Sequence, residues 1–266
     1  MQLFTGDAQP DPERLLAAFR MSGVVTYIRR EGRVGMAGRG PLSASEFFVS
    51  GGGGLVLLLE LAVIGAVPIV ALALSLLELV PLHISGPSLV GSAVVSVLAL
   101  LVLEPRIALH ALRGWGAGLV AVLVYDCTRV PFVIFGGWPD FIPKIGAWLL
   151  DTPRAHWLLG YGWRYLGNGA GMGLTFSMLV LCTDRWIDRR VAGVAYGVAI
   201  WAGLVATLMT SPDGESKMFD LNPTTIAASL TGHLVYGAVL GLIMYRERNR
   251  GVEPSALPRA DSRLVG

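Results

Sequence analysis

Charge is scarce in this chain. Asp, Glu, Lys and Arg make up 15% of its 266 residues, where a soluble domain usually carries about 25%. The charges are also clustered, so long runs have none at all, which argues against an ordinary water-soluble globule. Cysteine is almost missing. Cys127 and Cys182 are the only two. They fall at opposite depths of the apolar runs described below, so neither a disulfide nor a metal motif is expected of them. The alternating hydrophobicity of a β-barrel is absent. The glycine run 51–54 lacks the Lys-Ser/Thr ending and the preceding strand of a phosphate loop. No Gly-x-Ser-x-Gly elbow, His-Glu-x-x-His or Glu-x-x-His motif is found. No motif names a cofactor, and nothing points to nucleic acid. No short apolar segment adjoins the start, so no cleavable signal is expected and the first spanning helix should act as its own insertion signal.

Apolar sequence is plentiful: 53% of the residues are hydrophobic and the mean hydropathy is +0.60. A membrane-spanning helix needs about 20 mostly apolar residues. Six runs meet or approach that length, near 55–77, 88–103, 114–135, 166–182, 191–210 and 224–245. The expected fold class is therefore all-α, a polytopic membrane bundle of about six transmembrane helices with the lipid bilayer as its main partner. Lys and Arg sort by side: 16 of the 21 fall on the segments that share a side with the termini, and 5 on the opposite side. The positive-inside rule then places both termini in the cytoplasm, and an even helix count agrees. The expected organisation is a cytoplasmic arm over 1–50, a transmembrane domain over 51–245 with an outer loop over 136–165, and a basic cytoplasmic tail over 246–266.

Asp11-Pro12-Glu13 reads as a helix start, and Leu15, Leu16 and Phe19 form an apolar stripe beside Arg14 and Arg20. That helix lies either on the inner leaflet or against protein. Ser43-Ala-Ser-Glu46 fits a capping box. The outer loop is crowded with Trp138, Trp148, Trp157, Trp163, Tyr161 and Tyr165. It reads either as an aromatic belt at headgroup level with a horizontal helix over 141–150, or as a lid over a cavity. Pairs of glycines four apart recur on the last four spanning helices: Gly114 and Gly118, Gly169 and Gly173, Gly193 and Gly197, Gly237 and Gly241. Such faces let backbones approach closely, within the chain or between copies or subunits.

Ionisable groups inside a membrane are costly and count as functional candidates by default. Glu60 lies on helix one, Asp126 and Arg129 on helix three, and His233 near the middle of helix six. Asp126 and Arg129, three apart, can pair along one face, and Arg129 can also snorkel to the outer interface. Arg164 and Asn168, four apart, share a face near the outer mouth with Tyr125, Tyr161 and His156 close by in the sequence pattern. Three readings stay open. The first is a structural ion pair with His233 donating to a carbonyl or to Glu60. The second is a hydrated path in which Glu60, Asp126 and His233 exchange protons or bind a cation. The third is a metal site. Thr225, Ser229 and His233 also form a polar stripe, whose hydroxyls are expected to bond to their own backbone or to a neighbouring helix.

The final third carries Phe219-Asp220-Leu221 in the last outer loop, followed by Gly232-His233-Leu234-Val235 and a basic tail. Over roughly residues 165–250 this resembles the YagU-like family of small bacterial inner-membrane proteins. The resemblance implies an inner-membrane location and an association with acid tolerance, gives weight to Asp220 and His233 as site residues, and names no reaction. Transport or proton response through His233 and its acidic neighbours is the leading expectation. An accessory or scaffold subunit of a membrane complex and an intramembrane enzyme acting on a lipid-like substrate are the alternatives.

Overall fold

The computed structural model describes residues 53–103, 105–183 and 187–250. The expected amphipathic arm helix, the capping box at Ser43, the glycines at 51 and 52 and the tail beyond 250 lie outside the described residues. Within them the chain is helical and no strand occurs. Helix α1 spans Gly53–Leu76, α2 Leu82–Leu103 and α3 Pro105–Phe135. A short helix α4, Ile142–Leu149, follows. Helix α5 is built in three parts: an α-helical turn Trp157–Gly162, a π-helical stretch Trp163–Gly169 and an α-helical arm Ala170–Thr183. Then come α6, Arg189–Thr210, a single turn α7, Gly214–Lys217, and α8, Pro223–Arg250. Six of these helices, α1, α2, α3, α5, α6 and α8, are long and apolar enough to cross a membrane. The chain has the architecture of a multi-pass membrane protein.

Several helices begin earlier than hydropathy alone suggests. α3 starts at Pro105 rather than near 114, and α5 at Trp157 rather than near 166. Hydrogen bonding sets a helix end, whereas polar residues such as His110, Arg113 and Arg164 only lower the hydropathy average. The start of α5 has a defined cap: His156 Nδ1 accepts from the Leu159 amide at 3.3 Å. At α6 the exposed Asp188 caps the first turn through the Arg190 amide at 2.8 Å. The Arg190 side chain, hydrogen-bonded to the same carboxylate, holds it down to about 2. The cap therefore stays ionised through neutral pH and is lost only as pH falls through that value.

The glycine pairs meet one another. Gly114 and Gly118 on α3 face Gly169 and Gly173 on α5. Gly193 and Gly197 on α6 face Gly237 and Gly241 on α8. A methyl group on Gly193 would sit 2.7 Å from the Gly241 Cα, so the two backbones are in direct contact. All four faces are thus filled inside the chain. The circumference is lined instead by exposed aliphatic residues, among them Val95, Leu98 and Val102 on α2 and Val191, Val194 and Met209 on α6. An apolar rim of this kind, interrupted at the exposed Glu60 of α1, suits hydrocarbon as the surrounding medium.

The end of the bundle that carries α4 and α7, called the loop end below, is cross-tied. Ser211 Oγ donates to the Leu76 carbonyl at 2.5 Å, joining the ends of α6 and α1. Lys217 Nζ lies 2.6 Å from Glu78 Oε1. Helix α4 buries Ile142, Ile145, Gly146 and Ala147. It packs so tightly on the first turn of α5 that a methyl on Gly146 would lie 2.8 Å from the Gly160 nitrogen.

Candidate functional site

Beneath α4, where α1, α3, α5, α6 and α8 converge, lies a cavity of about 320 Å³. Most of its wall is apolar. On α6 it takes Ile200, Gly203, Leu204 and Thr207, one face of a helix by their three- and four-residue spacing. Phe141, Trp138 and Phe219 close the loop end, with Trp138 and Phe219 in an edge-to-face contact at 5.3 Å between ring centres. Besides Thr207, the polar lining comes from five residues, Tyr125, Arg164, Asn168, His233 and Tyr236.

Two of those five residues, Arg164 and Asn168, sit in the π-helical stretch of α5. A π-helix is rare because its wider turn disrupts the usual backbone pairing, and it recurs at functional sites. Its carbonyls are satisfied here from other helices. Tyr236 Oη donates to the Gly169 carbonyl at 2.7 Å, and Trp115 Nε1 to the Leu166 carbonyl at 3.1 Å. The first is buried and the second is exposed at the rim, where hydrocarbon offers a carbonyl no other donor.

Arg164 is tied to Asp126. Its Nε lies 3.0 and 3.1 Å from the two carboxylate oxygens, its Nη2 2.5 Å from Oδ1, and Tyr165 Oη donates to Oδ2 at 2.8 Å. The Arg164 guanidinium also lies over the Tyr125 ring, 4.7 Å from its centre. Arg129 keeps a long ion pair with its helix neighbour Asp126 and makes a closer one with Asp140. Its Nη2 donates to Asp140 Oδ1 at 2.6 Å, while its Nη1 remains 4.0 Å from Asp126. Arg129 is 2% exposed, so it does not snorkel. Its guanidinium is covered by Trp138 and Phe141, 5.8 and 5.4 Å from their ring centres. Tyr161 Oη adds a bond to Asp140 at 2.9 Å. Two guanidinium groups thus face two carboxylates, and the cluster is electroneutral.

His233 has neither Glu60 nor Asp126 as its hydrogen-bond partner. Its Nδ1 is 2.7 Å from the Ser229 carbonyl, four residues back on the same helix. A carbonyl only accepts, so Nδ1 carries the hydrogen and Nε2 the lone pair of the neutral ring. The ring stands edge-on to Tyr125 at 5.2 Å. The hydroxyls of the stripe bond locally: Ser229 Oγ donates to the Ile226 carbonyl and Thr225 Oγ1 to the Asp220 carbonyl. Ser229 Oγ also accepts from Trp201 Nε1 at 3.1 Å.

Of the residues singled out in the sequence, the structure gathers Asp126, Arg129, Arg164, Asn168 and His233 at or beside the cavity. Glu60 is exposed on α1 and does not line it, and Asp220 is exposed in the loop before α8. His156 caps α5 and does not line the cavity either. Asp140, the counterion of Arg129, was not among the sequence candidates. Its signal was the Trp-Pro-Asp triplet just before a helix, and Asp140 Oδ1 accepts from the Ile142 amide at 3.3 Å at that start. Among the described residues no group of three His, Cys, Asp or Glu side chains is placed to hold a metal ion. Buried and without a hydrogen-bond partner are Trp138 Nε1 and Asn168 Oδ1, both on residues of the cavity wall, together with Arg129 Nε and Trp163 Nε1. No family, curated protein or solved structure matches this chain in comparisons with known proteins.

Proposed function

We propose that this chain is a transport-like protein of the bacterial inner membrane that holds a small molecule in the cavity under α4, with His233 as the proton-sensitive group on its wall and both termini in the cytoplasm. The observation that carries the reading is the cavity itself, which brings the imidazole of His233 together with the buried Asp126–Arg164 pair. Histidine suits this role because its ordinary pKa lies near neutrality, and binding near the middle of a bundle, beside an interrupted helix, is a recurrent arrangement in transporters. A kinship with the YagU-like family is part of the same proposal: Phe219 and His233, one from each of the motifs that carry the resemblance, both line the cavity. The two alternatives have less to rest on. An enzyme would need a nucleophile near His233, and the Ser229 hydroxyl is engaged on both sides. A partner subunit would have to dock elsewhere than on the glycine faces, which are filled.

The test is proton movement in liposomes containing entrapped pyranine. After an imposed pH step, native protein is expected to dissipate the gradient several-fold faster than His233→Ala. Equal traces from two equally folded proteins would remove His233 from the proposal. Orientation is checked separately, in a protein whose Cys127 and Cys182 are replaced by alanine. Cysteine placed at the exposed Ser216 should react with an impermeant maleimide from outside the cell, and cysteine at the exposed Asp188 only after the membrane is opened. The reverse pattern would turn the topology over.

A further inference from the structure

The cavity reaches the side of the bundle. Val70 on α1 and Gly203 on α6 both belong to its wall, and both are exposed, Val70 to 47%. Helices α1 and α6 barely touch. A methyl group added to Gly203 would meet nothing within 4 Å, so the α6 lip is open space. These residues sit in the loop-end half of two spanning helices, where a gap between helices faces hydrocarbon.

The wall also restricts the head of the occupant. Arg164, its one cation, is committed to Asp126, and the second pair, Arg129 with Asp140, does not line the cavity. A carboxylate would have to compete with Asp126 and leave one anion uncompensated. An ammonium would find no free counterion. Either outcome buries an unpaired charge, which is the most costly state for such a group. Hydrogen-bonding capacity is left over, however. Among the described residues no hydrogen bond reaches His233 Nε2, the acceptor nitrogen of the neutral ring. Trp138, 3% exposed, keeps an indole N–H without a partner, and Asn168 keeps a carbonyl oxygen without one. Donors and acceptors in one apolar chamber match an uncharged oxygen head that can both give and receive a hydrogen bond.

We infer that the cavity takes a neutral, lipid-soluble amphiphile with a hydroxyl-type head directly from the bilayer, through the gap between Val70 on α1 and Gly203 on α6, and seats the head so that its hydroxyl donates to His233 Nε2 or Asn168 Oδ1. The inference rests on the cavity being a binding site, as proposed above. A volume of about 320 Å³ equals about ten waters at ~30 Å³ each, hence a body of roughly ten non-hydrogen atoms. The head leaves water only after the body has partitioned into lipid. A hydroxyl crosses that path cheaply compared with a full charge.

The experiment uses the full chain in lipid nanodiscs and three photoreactive probes with the same seven-carbon, diazirine-bearing tail: an alcohol, a carboxylate and an ammonium. Labelled residues are read by mass spectrometry. The alcohol is expected to label peptides containing Met172 and Phe219, to be displaced by excess decanol, and to exceed both charged probes by about tenfold or more, the ratio that roughly 1.4 kcal/mol of discrimination gives. Gly203→Phe, which plugs the open lip without touching the charged cluster, is expected to slow labelling several-fold at an unchanged melting temperature. Val70→Trp does the same from the α1 side and serves if the first variant folds poorly. Equal labelling by charged probes would overturn the head assignment and leave the cavity reading standing. Native-speed labelling in both lip variants would overturn lateral entry. No cavity labelling by any probe would remove the binding site itself, and this inference with it.

Discussion

Asp126→Ala should destabilise the protein by about 3–5 kcal/mol, the usual cost of removing one member of a buried ion pair. The side chains of Asp126 and Arg164 are 8% and 13% exposed. With the carboxylate gone, Arg164 keeps its charge and its burial but loses its hydrogen-bonded counterion. Arg129, 4.0 Å from Asp126, loses a favourable field as well, and Tyr165 Oη loses its acceptor. The cost comes from the charge left behind more than from the pair, so removing both members should restore much of it. The measurement is unfolding in detergent for Asp126→Ala, Arg164→Met and the double variant. A double variant as unstable as the sum of the singles would mean the two side chains act independently, contrary to the geometry. A single-variant cost under about 1 kcal/mol would place the pair in the class of solvated surface bridges.

Gly118→Val should rank with it. The ideal Cβ on Gly118 lies 2.8 Å from the Gly173 Cα and 2.9 Å from its nitrogen, where carbon atoms prefer about 3.5–4.0 Å. The obstacle is backbone, so no side chain can swing aside. Helices α3 and α5 must separate by about an ångström, and Tyr125, Asp126 and Arg164 move with them. Overpacking usually costs about 1–3 kcal/mol, and backbone against backbone belongs at the upper end. Gly203→Ala, on a helix face with open space, should change stability by well under 1 kcal/mol, since a surface substitution of this kind usually falls within about ±0.5 kcal/mol. Comparable melting temperatures for the two variants would show that the helices yield more easily than their contact implies.

Span count and order were legible because hydropathy reports the medium around a helix directly, and the six runs found that way correspond to the six long helices. The glycine faces were legible as faces, since a four-residue spacing fixes which side of a helix a residue takes. Their partners were not, because spacing on one helix says nothing about the angle of its neighbour. The same limit explains the ion pairs. Asp126 and Arg129 are three apart, so one helix suggested itself as the unit. That pair is present at 4.0 Å, but the closer ones span 38 residues from Asp126 to Arg164 and 11 from Arg129 to Asp140. They form because α5 and the loop bring a second charge to each, and Arg164 approaches both oxygens of Asp126 from another helix. The imidazole of His233 found a companion nearer than any acid, the carbonyl one turn before it.

The wide turns over 163–169 also constrain how this stretch of chain can change. Each residue of a regular helix advances the chain by about 100°, and a wide turn holds one residue more than the regular count. Removing a single residue there would let the coil tighten, and everything on its loop-end side would swing by about that angle. Arg164 would then point away from Asp126, and the carbonyls now held by Tyr236 and Trp115 would turn from their donors. A change of identity at an exposed position such as Leu166 leaves that phase untouched. For this stretch, keeping the residue count matters more than keeping every side chain, so lineages of this protein should show substitutions here long before they show gaps.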